Sequence, residues 1–217
     1  MKSIRKHFCL SAVFLTLFIV LTVVIRFVDV QQIGPQRSSV GLSALNRFIH
    51  NLTGVHWDLY IVTDWLGLVP VGVCMGFAAL GLIQWIGRKA IRRVDYSIRV
   101  LGIFYIVTIG VYLLFEYIKV NYRPVLINGY LEGSYPSSTT LLTMCVMLTA
   151  TLQWRSRIRN RKIRCAVTLL STVFTAFMVI GRLISGVHWV TDIIGGGLLS
   201  LGLVVMYDAF CRLQQLK

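Results

Sequence analysis

The sequence predicts an all-α fold, an integral membrane bundle of six transmembrane helices with the N- and C-termini in the cytoplasm. Three observations carry that prediction. Of the 217 residues, 56% are apolar and 14% charged, with a mean hydropathy of +0.74, whereas a soluble domain carries about 25% charge. So apolar a chain is neither disordered nor a water-soluble globule. Six runs, at residues 8–27, 59–86, 98–118, 139–154, 165–184 and 190–210, approach the roughly 20 residues that cross about 30 Å of hydrocarbon. The basic residues, finally, are dense in every second loop, as the positive-inside rule requires.

The first run follows Lys2, Arg5 and Lys6. Its apolar part is too long for a secretory leader and no small-residue cleavage site follows, so it reads as a retained helix. The segment 28–58 is the one long outer loop. Within it Leu42, Leu45, Phe48, Ile49 and Leu52 recur at helical spacing, which suits a short helix lying in the membrane interface. The second run is long and the fourth short. Sixteen of the 22 basic residues fall at the N-terminus, after the second span (Arg88 to Arg99), after the fourth (Arg155 to Arg164) and at the C-terminus. The other six are Arg26, Arg37, Arg47, Lys119, Arg123 and Arg182. Charge divided among short loops offers no single basic face, so a nucleic-acid partner is not expected. Cys9, Cys74, Cys145, Cys165 and Cys211 are scattered without a C-x-x-C pair, and imply neither a disulfide framework nor a zinc site. No polar stretch is long enough for a second domain, so residues 1–217 read as a single unit. The glycines 195, 196, 197 and 202 in the last span suit close helix packing.

Ionisable and polar groups outside the basic loops cluster at the outer helix ends, where an intramembrane protein keeps such groups for function. Glu116, Lys119 and Arg123-Pro124 close the third span. Lys119 and Arg123 share a face if that helix continues, and either hold a phosphate or reach toward headgroups. Pro136-Ser137-Ser138-Thr139-Thr140 opens the fourth, as a helix cap, an anion site at the free N–H groups, or both. Gly181-Arg182 ends the fifth, and His188 and Asp192 begin the sixth, four apart. On a helix that spacing lets a carboxylate orient an imidazole. Carboxylates with metal-ligand spacing are lacking beyond that pair, so no metal is expected.

These clusters resemble the three motifs of the type-2 phosphatidic-acid phosphatase superfamily, relatives of the vanadium haloperoxidases: Lys then Arg-Pro, Pro-Ser-Gly-His, and Ser-Arg followed by His and Asp. The matching residues span 119–192. The resemblance implies a metal-independent lipid phosphatase without cofactor, acting on a phosphate or diphosphate of a polyprenyl diphosphate, phosphatidate or phosphatidylglycerol phosphate type. It implies His188 as nucleophile, Asp192 as its orienting carboxylate, and Lys119, Arg123, Ser137, Ser138, Thr139 and Arg182 as phosphate-binding. The implied setting is a bacterial plasma membrane with the site facing outside, membrane lipids around it and no obligate protein partner. The alternative is a catalytically impaired relative that binds or moves phospholipids. Three departures from the family pattern stand out. Lys119 and Arg123 lie closer together, Gly181 replaces Ser, and Thr139 replaces the His that serves as general acid. A phosphate leaving group needs that acid least, which tilts the expected substrate toward a lipid diphosphate. His50 and His56 in the outer loop are the imidazoles available to replace it.

Charge placement yields one direct expectation. A periplasm-active reporter fused after Lys217 should stay silent, and one inserted beside Tyr135 should be active; activity of the Lys217 fusion would reverse the orientation.

Overall fold

The computed structural model describes residues 2–214, and α-helices dominate it. They are α1 (Lys2–Phe27), α2 (Ser43–Thr53), α3 (Trp57–Leu66), α4 (Leu68–Arg88), α5 (Tyr96–Tyr117), α6 (Ser138–Arg157), α7 (Arg161–Ile184) and α8 (Val190–Leu213). Five segments are long and apolar enough to cross a membrane: α1, α3 with α4, α5, α7 and α8. The second expected span is thus two helices joined at Gly67, whose N–H still bonds the Thr63 and Asp64 carbonyls at 3.2 and 3.0 Å. The fourth expected span, α6, is a helix of 20 residues, about 30 Å long, but it is not among the five. Thr140, Thr143, Thr149 and Gln153 on α6 are buried against protein, and Thr149 Oγ1 donates to the Cys145 carbonyl at 2.6 Å. A helix packed among α4, α5, α7 and α8 satisfies its hydroxyls internally and does not need a lipid-facing composition.

The outer helices carry the apolar surface instead. Ile83 and Ile86 on α4, Ile103 and Ile106 on α5, and Leu169 and Leu170 on α7 are all more than half exposed. Such a girdle is stable only in an apolar solvent.

α8 is the axle, packed most extensively against α1 and α6. Its glycines let neighbours approach. A Cβ at Gly196 would lie 3.1 Å from the Ser137 carbonyl, and one at Gly202 would lie 2.7 Å from Leu15 of α1. At Gly195 it would meet the Tyr135 ring at 2.4 Å. That ring is 2% exposed, stacks on Phe18 at 6.0 Å and shares a 2.8 Å hydrogen bond with Thr22 Oγ1.

α2 is the amphipathic helix expected in the outer loop, and its buried face is the polar one. Asn46, fully buried, donates to the Gly41 carbonyl at 2.8 Å and to Thr191 Oγ1 at 3.1 Å. Leu45, Phe48 and Leu52 point outward, the arrangement of a helix with its apolar face in a membrane interface.

Gly195→Ala should destabilise the protein by about 1–3 kcal/mol, because the Tyr135 ring is pinned and cannot yield. Gly197→Ala, whose Cβ would meet only Met144 Sδ at 3.9 Å, should be neutral. Thermal unfolding of the two variants in one detergent checks the difference.

Candidate active site

α5 ends at Tyr117, with Ile118 already extended, so Lys119 and Arg123 do not share a helix face as their spacing suggested. The chain instead doubles back. Asn128 (φ 49) and Gly129 (φ 83) form a two-residue turn with positive φ at both positions, as a hairpin turn of the primed type demands. Ile127 and Tyr130 exchange backbone hydrogen bonds of 3.1 and 2.9 Å across it. Further from the turn the pairing shifts by two residues, and there Arg123 N bonds the Glu132 carbonyl at 3.1 Å and Ser134 N the Asn121 carbonyl at 2.9 Å. Glu132 and Ser134 therefore face Arg123 and its surroundings, although nothing in the motif spacing marked them. The Asn-Gly dipeptide was the available signal.

His188 lies in the turn before α8 and is 3% exposed. Its Nε2 is 3.0 Å from Arg123 Nη1 and its Nδ1 is 3.1 Å from Ser134 Oγ. A guanidinium can only donate. Nε2 is thus the acceptor, and the ring proton sits on Nδ1, facing Ser134. The Ser134 hydroxyl in turn donates to Asp192 Oδ2 in a short hydrogen bond. Asp192 also accepts from the Trp189 N–H at 2.8 Å, which caps α8. The direct distance from His188 Nδ1 to Asp192 Oδ2 is 3.7 Å, so Ser134 stands as the intermediary. Helix α8 begins at Val190, which is why the expected contact across a helical turn is replaced by this relay. Trp189 Nε1 ties the turn to the Tyr122 carbonyl at 2.7 Å.

Arg123 also pairs through Nε with Glu132 at 3.2 Å. His188, Arg123, Glu132, Ser134 and Ser138 line one small cavity. Burial first, then the charges of Arg123 and Arg182, hold His188 well below the usual imidazole value. Both the burial and the Arg123 contact favour the neutral ring, whose Nε2 lone pair faces that cation.

The other expected residues sit differently. Ser137 caps α6, its Oγ accepting from Thr140 N at 3.4 Å, and is fully buried. Its own N–H bonds the Asp192 carbonyl at 3.0 Å. Arg182, 2% exposed, gives Nη2 to Thr139 Oγ1 at 2.7 Å and to Asp64 at 3.0 Å, and lies 4.8 Å over the Tyr60 ring. Neither Thr139 nor Arg182 lines the His188 cavity, and Asp64, supplied by α3, is a partner absent from the motif pattern. Lys119 pairs with Glu116 at 3.3 Å beside Gly133 and is not brought to His188. The His50 ring lies tilted against Trp189 at 5.4 Å between centroids, and His56 Nε2 bonds the Thr53 carbonyl at 2.8 Å. Neither imidazole lines the cavity.

A profile of the PAP2 superfamily matches residues 112–211, the stretch that contains Arg123, Ser134, His188 and Asp192. Among solved structures, a transmembrane PAP2-type phosphatidylglycerolphosphate phosphatase from Bacillus subtilis is similar, with a TM-score of 0.57 and 19% identity over 95% of this chain and 97% of that one. At that identity the likeness is one of fold. No curated protein matches the chain.

A ¹⁵N-histidine titration should find His188 neutral at pH 6, in the Nδ1–H tautomer. Because its folded value lies below the ordinary 6.5, the unfolded chain binds the proton more readily, and stability should fall as pH drops through that value. A protonated His188 at pH 6 would contradict the geometry.

Proposed function

Because residues 112–211 carry the PAP2-superfamily pattern, we propose that this chain is a membrane lipid phosphatase working through a phosphohistidine. The supporting observation is the neutral His188 held between Arg123 on Nε2 and Ser134 with Asp192 on Nδ1. An incoming phosphoryl group takes Arg123 away from the ring and frees the Nε2 lone pair. Nε2 then forms the bond to phosphorus as the bond to the leaving oxygen breaks. The Nδ1–H stays with Ser134 and Asp192, whose carboxylate stabilises the positive charge that develops on the ring. Arg123 follows the charge on the phosphoryl oxygens. Water next attacks phosphorus, releasing inorganic phosphate and returning Nε2 to Arg123. The first-turn N–H groups of α6, at Ser138 and Thr139, add fixed donors. Arg182 joins when a phosphate competes with Asp64 for its fork.

In this reading α6 is the sixth span of a single domain, both termini are cytoplasmic, and the His188 cavity opens at the outer face. The sixteen basic residues beyond the opposite helix ends support that orientation. Thr139 stands where the family's general acid would be, and its hydroxyl hardly ionises near neutral pH. A lipid diphosphate, whose leaving group is itself a phosphate, is therefore the favoured substrate over a lipid monoester. The second reading is a relative that binds or moves phospholipids without turnover. What favours it is the engagement of Arg182 by Thr139 and Asp64.

Phosphate release from a panel of lipid mono- and diphosphates separates the two. His188→Ala should abolish release, and Asp192→Asn should leave a residue of it. Thr139→His should raise monoester turnover by about tenfold or more, equivalent to about 1.4 kcal/mol, and diphosphate turnover less. Thr139→Val, which removes one partner of Arg182 without supplying an acid, should not reproduce that bias. Equal gains on both substrates would remove the general-acid argument, and no release from any lipid would favour the second reading.

A further inference from the structure

The end of the bundle opposite His188 is built differently. There the termini of α4, α5, α6 and α8 surround a cleft of about 1020 Å³. The 24 residues of α8 separate it from the His188 turn, a rise of about 36 Å. Seven of its lining side chains are arginines and two are aspartates. Arg88 and Arg157 both meet Asp95, at 2.8 and 3.0 Å, and Arg212 meets Asp208 at 2.7 Å. Arg92, Arg93, Arg99 and Arg155 have no carboxylate partner among the described residues. Arg99 Nε is buried with nothing bonded to it, and its guanidinium lies 5.6 Å over the Tyr96 ring. The floor is polar and rigid: Gln153 and Tyr207, each 2% exposed, are hydrogen-bonded to each other, and Arg157 Nε donates to Gln153 Oε1 at 2.9 Å.

Membrane topology accounts for the number of these charges but not for their convergence. Lys89, Arg159, Arg161, Lys162 and Arg164 satisfy the positive-inside rule from outside the cleft. An excess of five positive charges in one concave site selects a multiply charged anion, and guanidinium forks select phosphate oxygens. Arg157 also lines a second cavity, of about 300 Å³ between α4 and α6, whose other walls are Val73, Gly76, Phe77, Leu80 and Trp154. A Cβ at Gly76 would meet nothing within 4 Å, so the glycine leaves that groove open. A cationic pocket joined through one arginine to an apolar groove has the form of a headgroup with its chain.

The geometry points to a binding site for an anionic phospholipid, with its phosphate among Arg92, Arg93, Arg99 and Arg155 and one acyl chain in the α4–α6 groove beside Gly76. It is distinct from the His188 cavity and does not rest on the phosphatase reading. The phosphate chemistry alone would also suit a free polyphosphate; the apolar groove favours the lipid.

Equilibrium binding to the purified full chain in neutral detergent tests this with three probes: phosphatidylglycerol, phosphatidylcholine and inorganic pyrophosphate. Phosphatidylglycerol should saturate a site that phosphatidylcholine, lacking net charge, does not fill. Arg99→Gln with Arg155→Gln should weaken it about thirtyfold, at roughly a factor of five per arginine. The Arg99→Lys, Arg155→Lys pair keeps the charge and should stay within about threefold. Gly76→Leu should weaken phosphatidylglycerol and leave pyrophosphate unchanged. Melting temperatures show whether the glutamine pair is folded; if it is not, Arg155→Gln alone, expected to weaken phosphatidylglycerol about fivefold, and Gly76→Leu carry the test. Equal binding of the two lipids, or a phosphatidylglycerol site indifferent to the glutamine changes, would overturn the assignment. Pyrophosphate binding as tight as phosphatidylglycerol, with Gly76→Leu silent, would replace the lipid by a free phosphate.

Discussion

A buried chain of polar groups, from Arg123 through His188 and Ser134 to Asp192, sets the terms for one end of this molecule. Burying a cation, an imidazole and a carboxylate among apolar helices is costly unless each finds its partner. The surrounding architecture meets that requirement from three directions. The chain reversal at Asn128-Gly129 brings the segments carrying Arg123 and Ser134 side by side. The first turn of α8 supplies the Trp189 N–H to Asp192. The start of α6 gives the Ser137 N–H to the Asp192 carbonyl. One residue thereby serves as helix cap, loop anchor and partner in the imidazole relay, so a change at Asp192 is felt in the fold as well as in the site.

The same requirement explains the unusual composition of α6. Its hydroxyls make it the least apolar of the long helices, yet four other helices pack around it. Glycines on α8 draw that helix close to Ser137, Thr140 and Tyr135, and the close approach excludes lipid from the α6 hydroxyls. Packing and polarity are therefore two aspects of one arrangement. Where α8 can come near, α6 can carry threonine.

Charge is handled in opposite ways at the two ends of the bundle. Around His188 the cations are few, buried and answered by Glu132 and Asp64. At the other end the arginines outnumber their carboxylates and converge on open space. Asp95, drawn down to about 2 foremost by Arg88, remains charged throughout the physiological range and holds Arg88 and Arg157 in place without neutralising the rest. The first end pairs each of its cations with a carboxylate, and the second leaves an excess of cations facing an open cleft.

Much of this was legible in the sequence, because helix formation and burial in lipid depend on local composition and period. The apolar runs, the glycine face of α8 and the amphipathic helix in the outer loop all depend on residue type and spacing alone. Spacing misled wherever a helix stopped earlier than its pattern allowed. Lys119 was expected beside Arg123, but α5 ends at Tyr117 and the lysine turns to Glu116. His188 was expected one helical turn from Asp192, but α8 starts after it and Ser134 fills the gap. Ser134, Glu132 and Asp64 belong to no period, and each reaches its partner by tertiary packing, through the register of a hairpin or the docking of α3 on α7. An average over one helix likewise contains no record of its neighbours, and α6 is not among the five segments apolar enough by composition to cross a membrane. Local sequence determined which segments are helices and which polar residues sit near their ends. Only the packed bundle decided which of those residues meet, because that depends on where each helix ends and on what lies across from it.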